Sequence, residues 1–245
     1  MVHVKTYSEK ALSLLSQSVS KNEALMTEIS KKIVEDVKAG KSLFAFGSGH
    51  SGLFPLELYH RAGGCSFLIP IVADYLLPHA GPPIVRVLER SPMVANALLE
   101  RALPQSGEMI WIMSQSGVNS AVVDFALECK KKNLHTVAFT SIEHSSSVKS
   151  RHSSGKRLYE VCDKTIDLGG VRGDALVEVA SDLRAGPLSL LSATLMGHSI
   201  LVAACSELEK QGIACTYTSV NTPEGEQRNK KIELKASLRD PLLRG

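Results

Sequence analysis

Residues 43–52 read Leu43-Phe44-Ala45-Phe46-Gly47-Ser48-Gly49-His50-Ser51-Gly52: four consecutive apolar residues, then a turn of glycines and hydroxyls. The same order recurs at Ile110-Trp111-Ile112-Met113-Ser114-Gln115-Ser116-Gly117-Val118-Asn119-Ser120. Neither apolar run alternates with polar residues, so both read as strands buried on two faces, which is the environment of a parallel sheet covered by helices.

Working outward, further runs of strand length occupy Ser42 to Phe46, Ser66 to Val72, Met109 to Met113, Thr136 to Thr140 and Thr165 to Leu168. Helical spacing precedes them. Leu15, Val19, Met26, Ile29, Ile33 and Val37 form one apolar stripe from Thr6 to Lys38, with a Thr6-to-Glu9 capping box before it and Gly40 after it. Ser91-Pro92 supplies an N-cap and a first-turn proline for a helix through Leu103, and Ser120 to Lys132 carries another. A long helix from about Leu188 to Lys210 ends at Gly212; Cys215 to Val220 reads as a short strand before a polar tail, and Ser141 to Arg157 as a long polar loop. The expected fold is α/β: a doubly wound parallel five-stranded sheet flanked by helices, flavodoxin-like or Rossmann-like, with a long N-terminal helix. One domain is expected over 1–245, divided into the helix (1–40), an α/β core (41–212) and a tail (213–245).

In such a sheet ligands sit beyond the carboxyl ends of the strands, where both Ser/Gly turns lie. Glycine lets backbone N–H groups converge on an anion, serine adds donors, and a following helix N-terminus adds partial positive charge. Neither turn contains the lysine of a Walker A loop, which suits a monophosphate held by hydroxyls and amides. A rival reading takes Gly47-x-Gly49-x-x-Gly52 as a dinucleotide fingerprint with Asp74 as the ribose acid. Against it, Pro55 interrupts the following helix, and the fingerprint gives the second Ser-rich turn no role.

Composition narrows the classes. The chain has 245 residues, 44% hydrophobic and 22% charged, enough to bury a full core. The net charge of +3 is dispersed, and five tyrosines with one tryptophan form no evident stacking platform, so no nucleic-acid partner is expected. Five cysteines without a CxxC pair argue against disulfides and thiolate zinc, and point to a reducing, cytoplasmic setting. MVHVKTYSEK has no long apolar run, and apolar stretches elsewhere are broken by Gly, His or charge, so no membrane association is expected.

The two turns, the leading helix and the Thr140-Ser141 pair resemble the sugar isomerase (SIS) domain over nearly the whole chain. The resemblance is nearest to a little-characterised single-domain branch related to phosphoheptose isomerase-like proteins. It is carried by Gly47 to Ser51, by His60-Arg61-Ala62-Gly63-Gly64, and by Ser150-Arg151-His152-Ser153-Ser154-Gly155-Lys156-Arg157-Leu158-Tyr159-Glu160. It implies that Ser48, Ser51, Ser114, Ser116, Asn119 and Ser120 surround a sugar phosphate. Gly47, Gly49, His50, Gln115, Gly117, Thr140, Ser141 and His152 join the candidate binding set. It also implies a homodimer or homotetramer with pockets near subunit contacts.

Isomerisation between C1 and C2 requires a base near neutrality and donors for the developing oxyanion. Glu57 lies six residues past Ser51, about 9 Å along a helix, and related isomerases place a glutamate on the helix after the first loop. Glu57 is therefore the first candidate; the alternative is an ordinary i,i+4 pair with Arg61, and the two are compatible. His198 interrupts the last apolar helix and is the second catalytic candidate, since some SIS isomerases bring a histidine or carboxylate from this region. His144 and His152 show no HExxH pattern, so no metal is expected, and no cofactor. Two readings result: an aldose–ketose isomerase, or a related lyase or epimerase, and a phosphosugar sensor that does no chemistry. A self-contained transcription regulator is disfavoured, since no DNA-binding segment is visible.

Overall fold

The computed structural model describes residues 2–92, 94 and 96–243. In chain order the elements are α1 (Lys5–Lys38), β1 (Leu43–Gly47), α2 (Leu53–Leu58), β2 (Leu68–Ile71), α3 (Pro82–Arg90), α4 (Asn96–Ala102), β3 (Met109–Met113), α5 (Ser120–Lys131), β4 (His135–Thr140), α6 (Ile142–Ser146), α7 (Leu158–Val161), β5 (Lys164–Asp167), β6 (Ala175–Ala180), β7 (Leu183–Pro187), α8 (Ser189–Lys210) and α9 (Pro223–Ala236).

All five expected runs become strands of one parallel sheet, ordered β2-β1-β3-β4-β5. Strand side chains alternate between faces, and every residue of β1 and β3 is buried, so each strand feeds two cores. Leu43, Ala45, Trp111 and Met113 pack with Ile29, Ile33, Phe54, Met196 and Leu208 from α1, α2 and α8. Phe44, Phe46, Ile110 and Ile112 pack with Leu98, Leu99, Val122 and Phe125 from α4 and α5. Each fully buried large side chain contributes about 1.5–3 kcal/mol. Doubly covered strands account for their unbroken apolar character.

β1 pairs with β2 on one side and β3 on the other, in register Leu43↔Leu68 and Leu43↔Met109. The chain therefore reverses its winding direction between β1 and β3. A crevice opens at such a point beyond the carboxyl ends of the two strands, where both Ser/Gly turns emerge.

The structure corrects several local expectations. Thr6 does not cap α1: Val4 is already helical (φ −58°, ψ −28°) and no side chain caps the first turn. The helix expected from Ser91-Pro92 through Leu103 is α4, which begins only at Asn96, while α3, which the sequence reading did not anticipate, ends before Ser91. Ser91 is extended (φ −83°, ψ 137°), as residues before proline tend to be. The part of that expectation falling on residues 93 and 95 lies outside the described residues. Cys215 to Val220 forms only a bridge from Thr216 to Cys65, because the Glu209 carboxylate takes the N–H groups of Cys215 and Thr216. The 141–157 loop contains α6, capped by Ser141 Oγ accepting from His144 N at 3.2 Å. The polar tail contains α9, capped by Thr222 with Pro223 in its first turn. An antiparallel hairpin, β6–β7, stands between β5 and α8 and was not anticipated.

α8 is by length and composition apolar enough to cross a membrane, contrary to the sequence expectation. Its Ala193, Met196, Ile200, Ala204 and Leu208 are buried in the core beneath the sheet, so this apolarity serves packing.

Candidate functional site

A cleft of about 630 Å³ opens at the switch point. Its walls include Ser48, Gly49, His50 and Ser51 from the first turn and Ser114, Gln115, Ser116 and Asn119 from the second. Eight of the sequence-predicted binding residues thus meet in one place.

The turns are shaped by close backbone approach. A Cβ on Gly47 would overlap the Ser51 carbonyl, and one on Gly49 would lie 2.8 Å from Glu89 Oε1 with φ at +59°. Both positions therefore require glycine. In the second turn Ser114 Oγ accepts from Gly117 N at 3.1 Å, and the turn leads into the N-terminus of α5 at Ser120.

The remaining predicted binding residues support the walls without lining them. Thr140 Oγ1 donates to Gln115 O at 3.2 Å, and Ser141 N donates to the same carbonyl. Gly117 O accepts from Leu158 N, and Ser120 Oγ donates to Arg151 O. The His152 side chain is buried, 2.8 Å from Asp124 Oδ1 through Nε2 and 2.7 Å from Ser154 Oγ through Nδ1. It clasps the 147–157 loop to α5. Arg151 from that loop donates to Asn119 Oδ1 at 2.8 Å and so orients a cleft residue.

The cleft also holds polar groups that the sequence reading did not assign to it, among them Glu89, His144 and Asp174. Glu89, on α3, accepts from Ser48 Oγ at 3.1 Å. Burial pushes its carboxyl above the usual range, and the Ser48 hydrogen bond and the charges of Arg90, His50 and Arg151 only partly offset this. His144, on α6, is held below its usual value chiefly by burial, with Arg172 adding to the shift and Asp174 opposing it. Its Nδ1 accepts from Gly173 N at 3.3 Å. Asp174 accepts from Leu188 N, Ser189 N and Ser189 Oγ, which fixes the start of α8 beside the cleft. The available signals were Gly81-Pro82-Pro83, which opens α3, and Ser141, which caps α6.

Gln115 lines the cleft, and among the described residues its buried amide nitrogen and oxygen have no hydrogen-bond partner. Buried polar groups are nearly always paired, so this amide has hydrogen-bonding capacity to spare.

Glu57 and His198 come together, with His198 Nε2 3.6 Å from Glu57 Oε1, but neither lines the cleft. α2 is only six residues long and packs on α8, and Glu57 is 45% exposed and ion-paired to Arg61. Burial, then Arg61, lower the His198 pKa. Among the described residues no group of three or more His, Cys, Asp or Glu is placed to hold a metal. A separate cavity of about 470 Å³ lies at the opposite, amino-terminal ends of β3 and β4, and its wall includes the ion pair between Lys164 and Glu28 at 2.7 Å.

Residues 6–141 match the family model described as the SIS domain. A UPF0309 protein of Shouchella clausii is 34% identical over 235 residues, covering 95% of this chain and 96% of the relative. One of Oceanobacillus iheyensis is 30% identical over 237 residues, with the same coverage. Two solved structures share the fold at 14% identity. A phosphoheptose isomerase from Francisella tularensis has a TM-score of 0.51, covering 84% of this chain and 96% of that one. The Vibrio vulnificus NanR protein complexed with ManNAc-6P has a TM-score of 0.50, covering 85% and 65%. With more than half its length inside that family model and full-length relatives at about one-third identity, this chain belongs to the SIS-domain family.

Proposed function

We propose that this protein binds an open-chain sugar phosphate in the switch-point cleft and interconverts its aldose and ketose forms. The observation that carries the reading is the meeting of Ser48, Ser51, Ser114, Ser116 and Asn119 around one cavity at the N-terminus of α5. Hydroxyls, an amide and a helix N-terminus are an anion-binding set that leaves room for a sugar. Fold neighbours include a phosphoheptose isomerase and a regulator bound to ManNAc-6P, so both an enzyme and a sensor use this architecture. Glu89 and His144 in the cleft favour chemistry over sensing, because a binding module has no need of a half-buried carboxylate beside the ligand.

The same proposal places the protein in the reducing cytoplasm as a homodimer or homotetramer. All five cysteines are free, and Leu191, Leu195 and Val202 are exposed along one side of α8.

Thermal shift against hexose, heptose and amino-sugar phosphates, with NAD and NADP alongside, tests the reading. A ligand at 100 times Kd adds about 2.7 kcal/mol, which raises Tm by several degrees at about 2–4 °C per kcal/mol. A rise with dinucleotides alone would replace this proposal with the glycine-fingerprint reading.

A further inference from the structure

We infer that Glu89 is the group that carries the proton between C1 and C2 of the bound sugar, with His144 hydrogen-bonding the carbonyl oxygen that becomes an enediolate. This rests on the phosphosugar reading of the cleft and assigns the reacting residues within it.

Position argues first. Among the described cleft-lining residues Glu89 is the one glutamate, and the other acid, Asp174, accepts three hydrogen bonds that tie it to the start of α8. Among the described residues Glu89 accepts one hydrogen bond, from Ser48 to Oε1, which leaves Oε2 to take a substrate proton. The missing Cβ of Gly49 is what admits this carboxylate against the first turn.

Charge then orients the substrate. A carboxylate bonded to Ser48 repels a phosphate at the first turn, while the second turn offers Ser116, Asn119 and the N-terminus of α5 with no acid among them. The phosphate therefore seats at 114–120, and the carbonyl end of the sugar extends toward Glu89.

His144 supplies the electrophile. Because Nδ1 accepts from Gly173 N, the hydrogen of the neutral ring resides on Nε2. The groups facing it are Asp174 and Arg172, and burial disfavours its charged form. Those facing Glu89 are Ser48, Arg90, His50 and Arg151, and burial keeps its carboxylate more basic than usual. Two groups tuned in opposite directions in one cleft are a division of base and acid roles.

The step balances internally. Glu89 takes the C2 proton of the aldose; the C–H pair forms the C1=C2 bond, and the carbonyl pair moves to O1, which His144 stabilises. Glu89 then returns the proton to C1 while the O2 hydrogen passes to O1, leaving the ketone at C2. No oxidant or co-reactant is needed.

The test uses the full chain with fructose 6-phosphate, sedoheptulose 7-phosphate and N-acetylglucosamine 6-phosphate. Thermal shift reads binding, and NMR in deuterated water reads hydrogen exchange at C1 or C2. The wild type is expected to bind and exchange at least one. Glu89→Gln is expected to keep the thermal shift and lose exchange by about 10²–10⁴-fold. Glu89→Asp, which withdraws the carboxylate by one methylene, is expected to retain partial exchange, and it decides alone should the glutamine variant fail to fold. Exchange within tenfold of wild type in the glutamine variant, or undiminished in the aspartate variant, overturns the assignment, as does loss in Glu57→Gln but not in Glu89→Gln. Binding without exchange in the wild type also overturns it while leaving the phosphosugar site standing. Absence of any thermal shift in the wild type overturns the binding reading itself.

Discussion

Ser48 Oγ donates to Glu89 Oε1 at 3.1 Å, joining the first Ser/Gly turn to a helix 41 residues further along the chain. The bond favours the charged carboxylate, opposing the burial that raises its pKa. Ser48→Ala is therefore expected to raise that pKa further and, on the proposed isomerase reading, to move the acidic limb of the pH–rate profile to higher pH.

Glu89 also sets a stability signature. Its folded pKa lies above its unfolded value, so the folded state holds an extra proton between the two, and stability falls as pH rises through that window. Glu89→Gln removes the fall. Thermal melts across pH 4–8, read at about 2–4 °C per kcal/mol, are expected to show the variant gaining on the wild type as pH rises.

Gly47→Ala forces a methyl into the carbonyl of Ser51, which belongs to the same turn. Overpacking of this kind costs about 1–3 kcal/mol, and here the backbone that must yield also frames the cleft. Urea denaturation is expected to show that loss, together with weakened sugar phosphate binding.

Arg239 donates to both oxygens of Glu108, at 2.8 and 2.9 Å, and Glu108 is fully buried. Glu108 also accepts from Ser42 N and Gln105 N, so it ties the chain's last segment to the entries of β1 and β3. Arg239→Ala leaves this carboxylate without its cation and is expected to destabilise the protein by about 3–5 kcal/mol, measured by chemical denaturation.

Glu209 is held down at about 2: desolvation alone would raise it, but Cys215 N, Thr216 N and Arg228 outweigh that. A depressed folded pKa gives stability that is present above the unfolded value and lost as pH falls toward 2. Glu209→Gln is expected to be destabilised at neutral pH and to match the wild type near pH 2, as read by melts along an acid titration.

The sheet was legible because its strands are covered on both faces, which leaves unbroken runs such as Ile110 to Met113. The turns after β1 and β3 were legible because glycine and serine there answer to backbone geometry. Glu89 was not, since α3 exposes one side and is announced only by Gly81-Pro82-Pro83. The offset that pointed to Glu57 assumed a helical stretch after Ser51; Glu57 does lie in α2, but its carboxylate meets Arg61 and His198 rather than the described lining of the cleft. The β6–β7 hairpin was hidden by its turn, where Asp182 adopts φ +60° in place of the expected glycine. α9 was hidden by polarity: most of its residues face solvent, and Gly225, Asn229 and Ile232 alone are buried.

The packing of α1 on α8 sets a schedule for synthesis on the ribosome. Met26, Ile29 and Ile33 rest on residues of α8 that are translated about 170 residues later, roughly 9–34 s at about 5–20 residues per second. Throughout that interval the nascent chain carries an amphipathic helix with its natural cover not yet made, and the strands behind it are already emerging. The apolar stripe that anchors the finished fold is thus also the segment on which a chaperone would first act.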